Sequence, residues 1–399
     1  MFATRLYGRT SNRALNSLSS ILRATYSSGS SSTFFHKDLK IKKAETIKTL
    51  PPKDQLVFGA NFSNHMLMVE WCANNGWGSP QIVPFGNLSV HPAASTLNYA
   101  MECFEGMKAY KGVDGKYRLF RPIENMKRLN NSAEFLGFPT FNPEEGLKCL
   151  EELVRLDKGD IPDGEGLSMY IRPSMIGTEG VLGVRTPKKV LLYVICSPSG
   201  PYFPTGLKAT RLLTDPERVR AWPGGTGDKK LGSNYDGGMK ALRDAAEKGY
   251  QQVLWTFGPE HNLSEAGTMN VFVYWINEAG EKELITPELD GTILPGITRD
   301  SVLKVCREYN EFKVTEGVIT MKQVAKASKE GRLLEMFGCG TACVISPIKE
   351  IGYEGTDVKV PLDPKDPTVE FGPLTKRIYD HILGIQNGTI AHQQWAVTV

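Results

Sequence analysis

The feature that most constrains the fold is the apolar run VLLYVIC, residues 190–196, followed at once by SPSGPYFPTG, residues 197–206. A short uninterrupted apolar run predicts a buried strand, and a segment with three prolines and two glycines cannot continue that strand. At 399 residues the chain is also longer than one average domain. We therefore place a domain boundary here, which predicts an N-terminal domain over 36–198, an interdomain loop over 199–208 and a C-terminal domain over 209–399.

Both halves have the pattern of mixed α/β structure. Upstream of the boundary, Pro122 starts a predicted helix that leaves Arg128 off its apolar stripe of Ile123, Met126, Leu129, Ala133 and Leu136. Downstream, VLWTF (253–257) and NVFVYWI (270–276) are predicted strands, and the second turns into ELIT (283–286) as a hairpin. LPGIT, at 294–298, opens a further helix with Thr298 as the candidate N-cap.

The first thirty residues differ in composition from the rest of the chain. They are rich in serine, carry Arg5, Arg9, Arg13 and Arg23, and no acidic residue occurs before Asp38. This composition is typical of a mitochondrial transit peptide, so we predict that 1–30 is a removable targeting segment for the mitochondrial matrix. The alternative is a disordered N-terminal arm with no targeting role.

Charge and residue spacing exclude several classes of function. Removing the four arginines from the net charge of +3 leaves 3 − 4 = −1, so the net charge does not argue for nucleic-acid binding, and the sequence shows no stripe of basic and aromatic residues. No run approaches the ~18 apolar residues that a membrane-spanning helix needs. The seven cysteines form no CxxC pair and the six histidines no HExxH, so the sequence predicts free thiols and no metal site.

Taken from the residues alone, the candidate chemical groups are ambiguous. Lys230 lies in the glycine-rich segment 224–238, which is either a site loop or a solvated turn, and Lys229 before it rules out a phosphate-binding P-loop. Glu265 is either a buried functional acid or an exposed hairpin carboxylate. Pro295–Gly296 and 338–342 are glycine-containing turns that suit an anion but are equally compatible with plain loops.

Seven segments, taken together and in order, carry a specific resemblance. They are CFEGMKAY (103–110), ENMKRL (124–129), YIRP (170–173), GGTGDKKLGSNY (224–235), SEAGTMN (264–270), LPGITRD (294–300) and GCGTAC (338–343). The chain resembles the branched-chain aminotransferases of the eukaryotic mitochondrial kind. The resemblance implies fold type IV of the pyridoxal-phosphate enzymes, with a smaller N-terminal α/β domain, a larger C-terminal domain, the cofactor pyridoxal 5'-phosphate between them, and a homodimer.

The resemblance also implies a role for each matching residue. Lys230 matches the lysine that forms a Schiff base with the cofactor, Glu265 the acid facing the pyridine nitrogen, and Tyr235 the phenol bonding the ring oxygen. The matching phosphate anchors are Arg128, Ile297, Thr298 and Thr341.

The implied reaction is reversible, ping-pong transamination of leucine, isoleucine and valine with 2-oxoglutarate. The matching apolar walls are Phe62, Phe104, Tyr202 and Thr268. The residues that match contacts to a substrate carboxylate are Tyr99, Tyr170 and Arg172. Ala342 also matches a substrate-binding residue. Leu182 and Val184 match a loop reaching the neighbouring subunit's site.

Three alternatives stay open beside that interpretation. Two are enzymes of the same fold, a D-amino-acid aminotransferase and a lyase acting on aminodeoxychorismate. The third is a non-catalytic protein that kept the fold. Some mammalian relatives carry a CxxC redox pair that begins at the position of Cys343. In this chain the second position of the pair is Ser346, so the second sulfur is absent.

Overall fold

The computed structural model describes residues 32–200, 208–366 and 368–399, and its first sheet is a 10-stranded one. The strands of that sheet are β1 Lys40–Ile41, β2 His65–Cys72, β3 Gly76–Trp77, β4 Gln81–Pro84, β5 Glu102–Phe104, β6 Met107–Lys111, β7 Tyr117–Phe120, β8 Ser168–Gly177, β9 Lys189–Ser199 and, from the C-terminal end of the chain, β19 Ala396–Thr398. Their order is β1-β4-β2-β9-β8-β6-β7-β19, with β3 on β2 and β5 on β8.

A 9-stranded second sheet holds the strands between residues 210 and 359. These are β10 Thr210–Leu213, β11 Gln252–Phe257, β12 Asn262–Ala266, β13 Met269–Ile276, β14 Lys282–Pro287, β15 Lys313–Gly317, β16 Leu333–Gly340, β17 Val344–Tyr353 and β18 Thr356–Lys359. Their order is β12-β11-β10-β17-β16-β13-β14-β15, with β18 on β17. Most neighbours are antiparallel, whereas β10 runs parallel to both β11 and β17, and β14 runs parallel to β15.

The helices connect or cover these two sheets. They are α1 Ser95–Tyr99, α2 Pro122–Phe135, α3 Pro143–Leu156, α4 Ser233–Asp236, α5 Met239–Glu247, α6 Ile297–Tyr309, α7 Met321–Lys329 and α8 Pro373–Asn387, with short 3₁₀ turns at His36–Asp38, Lys53–Gln55 and Lys158–Asp160. Among the described residues, none of these helices combines the length and apolar character needed to cross a membrane.

Several predicted elements are confirmed. The apolar run 190–196 lies inside β9, which is hydrogen-bonded to β2 on one side and β8 on the other. The predicted hairpin is the antiparallel pair β13 and β14, in which Val273 faces Ile285. Helix α2 begins with Pro122 and buries Met126, Leu129 and Ala133 of the predicted stripe.

Two details of the structure differ from the expectations. Thr298 is not the N-cap of α6, because the helix already begins at Ile297 and its cap residue is Gly296 in an extended conformation. A side chain at residue 296 is excluded, since a Cβ there would lie 2.0 Å from Asn270 Oδ1. The last strand, β19, pairs with β7, so the end of the chain returns to the first sheet although 209–399 was expected to be one domain.

Helix α8 is held to the second sheet by one buried carboxylate. Glu335 of β16 accepts hydrogen bonds from the backbone N–H groups of Leu374 and Thr375, at 2.9 and 2.8 Å, and from the Thr375 hydroxyl at 2.7 Å. The cap residue of α8 is Gly372, which has no side chain to satisfy these amides. Glu335 therefore replaces the missing cap and compensates the positive end of the helix dipole.

Replacing Glu335 by alanine is expected to lower the free energy of unfolding by about 2–4 kcal/mol, because three buried donors lose their acceptor. The measurement is urea-induced unfolding of both proteins. Glu311→Ala is the matched control, since Glu311 also contacts α8, through Arg377, but both of those side chains are exposed. An equal loss in both variants would contradict this account of Glu335.

Candidate functional site

The loop that carries Lys230 is fixed by hydrogen bonds on several sides. Asn234 donates to the carbonyl of Lys229 at 2.8 Å, and the Lys230 N–H donates to Ser132 Oγ of α2 at 2.9 Å. Gly227 is required where this loop passes the segment that follows β14, because a Cβ there would lie 2.5 Å from the carbonyl oxygen of Thr292. Hydrogen bonds between the backbone of the loop and the side chains of Asn234 and Ser132 thus fix the position of Lys230.

The Lys230 amine lies among aromatic rings. Its Nζ donates to the hydroxyl of Tyr235 at 3.0 Å and lies 4.8 Å from the centroid of the Phe104 ring. The rings of Phe104 and Tyr235 are themselves in contact, with centroids 5.2 Å apart. The structure therefore brings together three of the residues singled out in the sequence, in a half-buried position where an amine is partly desolvated.

Glu265 is buried rather than exposed, which decides between the two interpretations of this acid. Its side chain is 4% exposed, accepts from the backbone N–H of Leu294 at 2.9 Å and lies 3.3 Å from Nε of Arg220. Burial raises the pKa of this carboxyl, while Arg220 and the Leu294 amide act in the opposite direction. Besides Arg220 and the Leu294 amide, a carboxylate in this environment can accept a hydrogen bond from one further N–H group.

Arg128 is buried by pairing with an acid. Its Nε and Nη2 donate to the two carboxylate oxygens of Glu105, at 2.6 and 2.9 Å, and its Nη1 donates to the carbonyl of Pro295 at 3.0 Å. Glu105 is fully buried and also accepts from Asn125 at 2.7 Å. A guanidinium has five N–H groups, so donors remain for an anion.

The expected phosphate anchors meet at the start of α6. Ile297 and Thr298 are its first two residues, whose N–H groups have no acceptor within the helix. They line one small cavity together with Thr341, which follows β16. Because helix N-termini favour anions, and Arg128 is tied to Pro295 just ahead of this turn, the donor set fits the phosphate of the expected cofactor.

An aromatic and cationic wall lies next to this centre. Arg172 stacks 4.5 Å from the Phe104 centroid and donates to the Tyr170 hydroxyl at 3.1 Å. Phe58 packs on Tyr170, with ring centroids 4.8 Å apart. Phe62, which was expected in this wall, is instead stacked on Phe85, with centroids 4.9 Å apart. The contacts therefore favour Phe58 over Phe62 as the phenylalanine on this side of the pocket.

Three other expected substrate residues lie on the surface of the chain. The Tyr99 hydroxyl donates to the carbonyl of Leu182, and Tyr99, Leu182 and Val184 are 40%, 59% and 80% exposed. No contact among the described residues brings them to Lys230. Tyr202 lies outside the described residues, as do the predicted targeting segment 1–30 and most of the interdomain loop.

The remaining expected residues are distributed around the centre. Thr268 lines a cavity together with Tyr235, Glu265 and Arg220. The carbonyl of Ala342 accepts from the Nζ of Lys108 at 2.6 Å, and burial lowers the pKa of that lysine to about 8.

The two thiols beside Thr341, those of Cys339 and Cys343, are buried. Cys339 and Cys343 are free, and burial raises the pKa of Cys343 to about 11. The Cys343 thiol lies 3.2 Å from the sulfur of Met269. Across the described residues, no group of three or more His, Cys, Asp or Glu side chains could hold a metal ion.

Four contributors to the site are not singled out by their sequence pattern. Arg220 and Glu105 contact the predicted Glu265 and Arg128, Phe58 packs on Tyr170, and Lys108 donates to the Ala342 carbonyl. A signal for Glu105 existed, because an acid between the apolar strands at 102–111 needs a buried cation. Arg220 carried no comparable signal, since its partner lies 45 positions away in the sequence.

The family description Amino-transferase class IV matches residues 102–351, which is more than half of the chain. The chain belongs to the class IV aminotransferases. Among its relatives, the cytosolic branched-chain-amino-acid aminotransferase of Saccharomyces cerevisiae is 49% identical over 365 residues, covering 90% of this chain and 96% of the relative. The mitochondrial enzyme of that name from Schizosaccharomyces pombe is 48% identical, covering 90% of this chain and 84% of the relative.

Solved structures of class IV aminotransferases share the fold. The Escherichia coli branched-chain amino acid aminotransferase superposes with a TM-score of 0.66 at 25% identity, covering 79% of this chain and 95% of that one. The branched-chain amino acid aminotransferase from T.th., solved with pyridoxamine 5'-phosphate, has a TM-score of 0.63 at 24% identity, covering 82% of this chain and 97% of that one. The fold expected from the sequence is therefore confirmed.

Replacing Arg220 by methionine is expected to move the acid limb of the pH–rate profile to higher pH. Arg220 lowers the pKa of Glu265 against the effect of burial, so its removal raises that pKa further and leaves less carboxylate at a given pH. We expect kcat/KM at neutral pH to fall about tenfold, the cost of one charge-assisted contact.

Two variants control this prediction. Arg220→Lys retains the positive charge and should restore much of the profile. Arg218→Met removes an arginine that pairs instead with Asp244 on the surface of α5, at 2.6 Å, and should leave the profile unchanged. An unshifted acid limb in Arg220→Met would show that Glu265 does not depend on this arginine.

Proposed function

We propose that the chain is a pyridoxal-phosphate-dependent transaminase that transfers the amino group of branched-chain L-amino acids to 2-oxoglutarate. The observation that carries the proposal is the convergence of four groups: the Lys230 amine, the Tyr235 phenol, the Glu265 carboxylate and the N-terminus of α6. Relatives named for this activity, about half identical over nine-tenths of the chain, support the choice of substrate class.

When bound, pyridoxal phosphate supplies the carbonyl carbon that accepts the amino group and a ring that withdraws electrons from the bond being broken. We assign the ends of the cofactor site as follows. Glu265 would hydrogen-bond the ring nitrogen, Tyr235 the ring oxygen, and the N–H groups of Ile297 and Thr298 would bind the phosphate, with Arg128 and Thr341 beside them. Because Glu265 and Arg128 are already held by the Leu294 amide and by Glu105, little reorganisation of these side chains would be needed.

Lys230 has the central role in the proposed reaction. Its amine would hold the cofactor covalently and, once freed by the substrate amine, would take the proton from the substrate Cα and deliver it to the cofactor carbon that accepts the amino group. The hydroxyl of Tyr235, at 3.0 Å from Nζ, orients the amine for that transfer. Phe104 covers the amine on one side, which limits access of water to it.

Substrate recognition needs a pocket that accepts an apolar side chain and also the carboxylate of glutamate. Phe104, Tyr170, Thr268 and Ala342 supply the surface, and Arg172 supplies a positive charge next to two aromatic faces. The Nε of Arg172 is buried and has no hydrogen-bond partner among the described residues, so a substrate carboxylate that reached it would satisfy a buried donor.

We also propose that residues 1–30 are a mitochondrial targeting segment and that the enzyme works in the matrix. The four arginines and the absence of acids before Asp38 support this, as does the similarity to mitochondrial relatives. Because cytosolic relatives are equally similar, similarity alone does not choose the compartment, and the proposal depends on the composition of residues 1–30. We keep the proposed division into domains 36–198 and 209–399, joined by 199–208, which follows the two sheets except for β19, a strand of the first sheet.

Replacing Lys230 by alanine is expected to lower the rate of L-leucine transamination with 2-oxoglutarate by about a thousandfold or more, because the covalent anchor and proton carrier are both lost. Lys229→Ala is the matched control, since that neighbouring amine pairs with Asp228 at 2.5 Å. Borohydride reduction of the wild type should leave the cofactor on Lys230 in a peptide map. Activity with D-alanine but not with L-leucine would overturn the proposed substrate class.

Homodimer formation is part of the proposal, with Leu182 and Val184 reaching the partner's site. Both side chains are exposed, at 59% and 80%, so contact with a partner would remove their apolar surface from water. The double substitution Leu182→Asp and Val184→Asp should convert a dimer into monomers in sedimentation experiments and lower activity about tenfold or more, because buried charges oppose association. Val318→Asp, at a residue 57% exposed, is the control, and a wild-type monomer would contradict the proposal.

A further inference from the structure

Arg121 has a strained backbone at the junction of β7 and α2. Its φ is 50°, in the left-handed region that favours glycine, yet the residue is an arginine and only 8% exposed. A non-glycine residue in this region costs about 1–3 kcal/mol and persists where the surrounding structure requires its side chain. The contacts of the guanidinium therefore indicate why an arginine is retained there.

The Arg121 guanidinium reaches the first turn of α6 from the first sheet. Its Nη1 donates to Ser301 Oγ at 2.7 Å and to the carbonyl of Ile297 at 3.4 Å. Its Nη2 pairs with the carboxylate of Asp300 at 2.5 Å. These three partners belong to the start of the helix whose first N–H groups face the proposed phosphate site.

The C-terminal end of the chain holds Arg121 from the other side. Its guanidinium lies 4.9 Å from the Trp395 ring, and its backbone N–H donates to the Trp395 carbonyl at 2.8 Å. The Trp395 ring is in turn stacked on His392, with centroids 4.3 Å apart. Arg121 is therefore fixed between the C-terminal segment and α6, which explains why its side chain is retained despite the backbone strain.

The contact with Asp300 also has an electrostatic consequence. A carboxylate in the first turn of α6 competes with a phosphate for the positive end of the helix. Arg121 on the buried side and Lys304 on the exposed side both pair with Asp300 and offset its charge. Without Arg121, one half of that compensation is lost close to the phosphate.

We propose that Arg121 is a positioning residue that sets the affinity for the cofactor's phosphate, by fixing the first turn of α6 and offsetting the charge of Asp300. This inference rests on the proposed phosphate role of Ile297 and Thr298. Arg121 has no part in the chemistry at Lys230. Its effect is therefore confined to ligands that carry the phosphate.

The test compares binding of pyridoxal phosphate with binding of pyridoxal, which lacks the phosphate. Arg121→Met and Arg121→Gly are both measured, by cofactor release from the holoenzyme and by rebinding of each ligand after its removal. We expect the dissociation constant of pyridoxal phosphate to rise about tenfold in both variants, as for loss of one charged hydrogen bond, and that of pyridoxal to change less than about twofold.

The glycine variant separates positioning from a purely structural role. Glycine adopts a positive φ without strain. If Arg121 were needed only for the turn between β7 and α2, Arg121→Gly would therefore bind the cofactor as well as the wild type does. Unchanged affinity for pyridoxal phosphate in Arg121→Gly, or equal weakening of both ligands, would overturn the inference. Arg118→Met is the matched control, because that arginine lies on the adjoining strand β7 and pairs with Asp114 at 2.7 Å.

Two further measurements keep the test decisive. Ser301→Ala leaves the guanidinium in place but removes its acceptor, and should raise the dissociation constant about threefold, so it carries the test if the Arg121 variants do not fold. Borohydride reduction at saturating cofactor should still label Lys230 in every variant. A wild type without that label overturns the proposed site as well, whereas a labelled wild type with unaffected variants overturns only the role of Arg121.

Discussion

The buried ion pair between Glu105 and Arg128 is the contact on which the arrangement of the site depends. Glu105 is fully buried, and its carboxylate is stabilised there by the guanidinium, which donates to both oxygens, and by Asn125. The same guanidinium donates to Pro295, at the entry to α6. An interaction that begins within the first sheet thus fixes the position of a helix that belongs with the second. Because the pair is neutral overall, it contributes oriented N–H donors to an anion and little net charge.

The segment from Leu294 to Thr298 joins the two ends of the site. At its start, the Leu294 amide donates to Glu265 and the Leu294 carbonyl accepts from Asn270, so the strand that carries the acid is tied to the segment. At its end, the N–H groups of α6 are directed at the expected phosphate. A displacement of this segment would therefore move the proposed partner of the ring nitrogen and the proposed phosphate anchors together, and Arg121 and Arg128 both contact it from the first half of the chain.

The sequence was sufficient to predict elements whose signal is local. The apolar run of β9, the hairpin of β13 and β14 and the proline-started α2 follow from periodicity and turn residues. The sequence did not predict contacts between residues that are distant along the chain. Arg128 is off the apolar stripe and yet buried, because Glu105 neutralises it, and Phe58 rather than Phe62 contacts Tyr170 because a loop, which has no periodicity, decides the choice. The return of β19 to the first sheet likewise depends on a long-range pairing.

The surroundings of Arg172 offer a physical solution to dual substrate recognition. An unpaired guanidinium would make a pocket for leucine costly, because burying an uncompensated charge is unfavourable. Here the rings of Phe104 and Tyr170, at 4.5 and 5.3 Å, stabilise the cation through their faces while an apolar side chain is bound. The Tyr170 hydroxyl accepts from one donor of the guanidinium, and in the proposed function another donor binds the glutamate carboxylate. On that proposal the same aromatic residues would serve as apolar wall for one substrate and would stabilise the charge that binds the other.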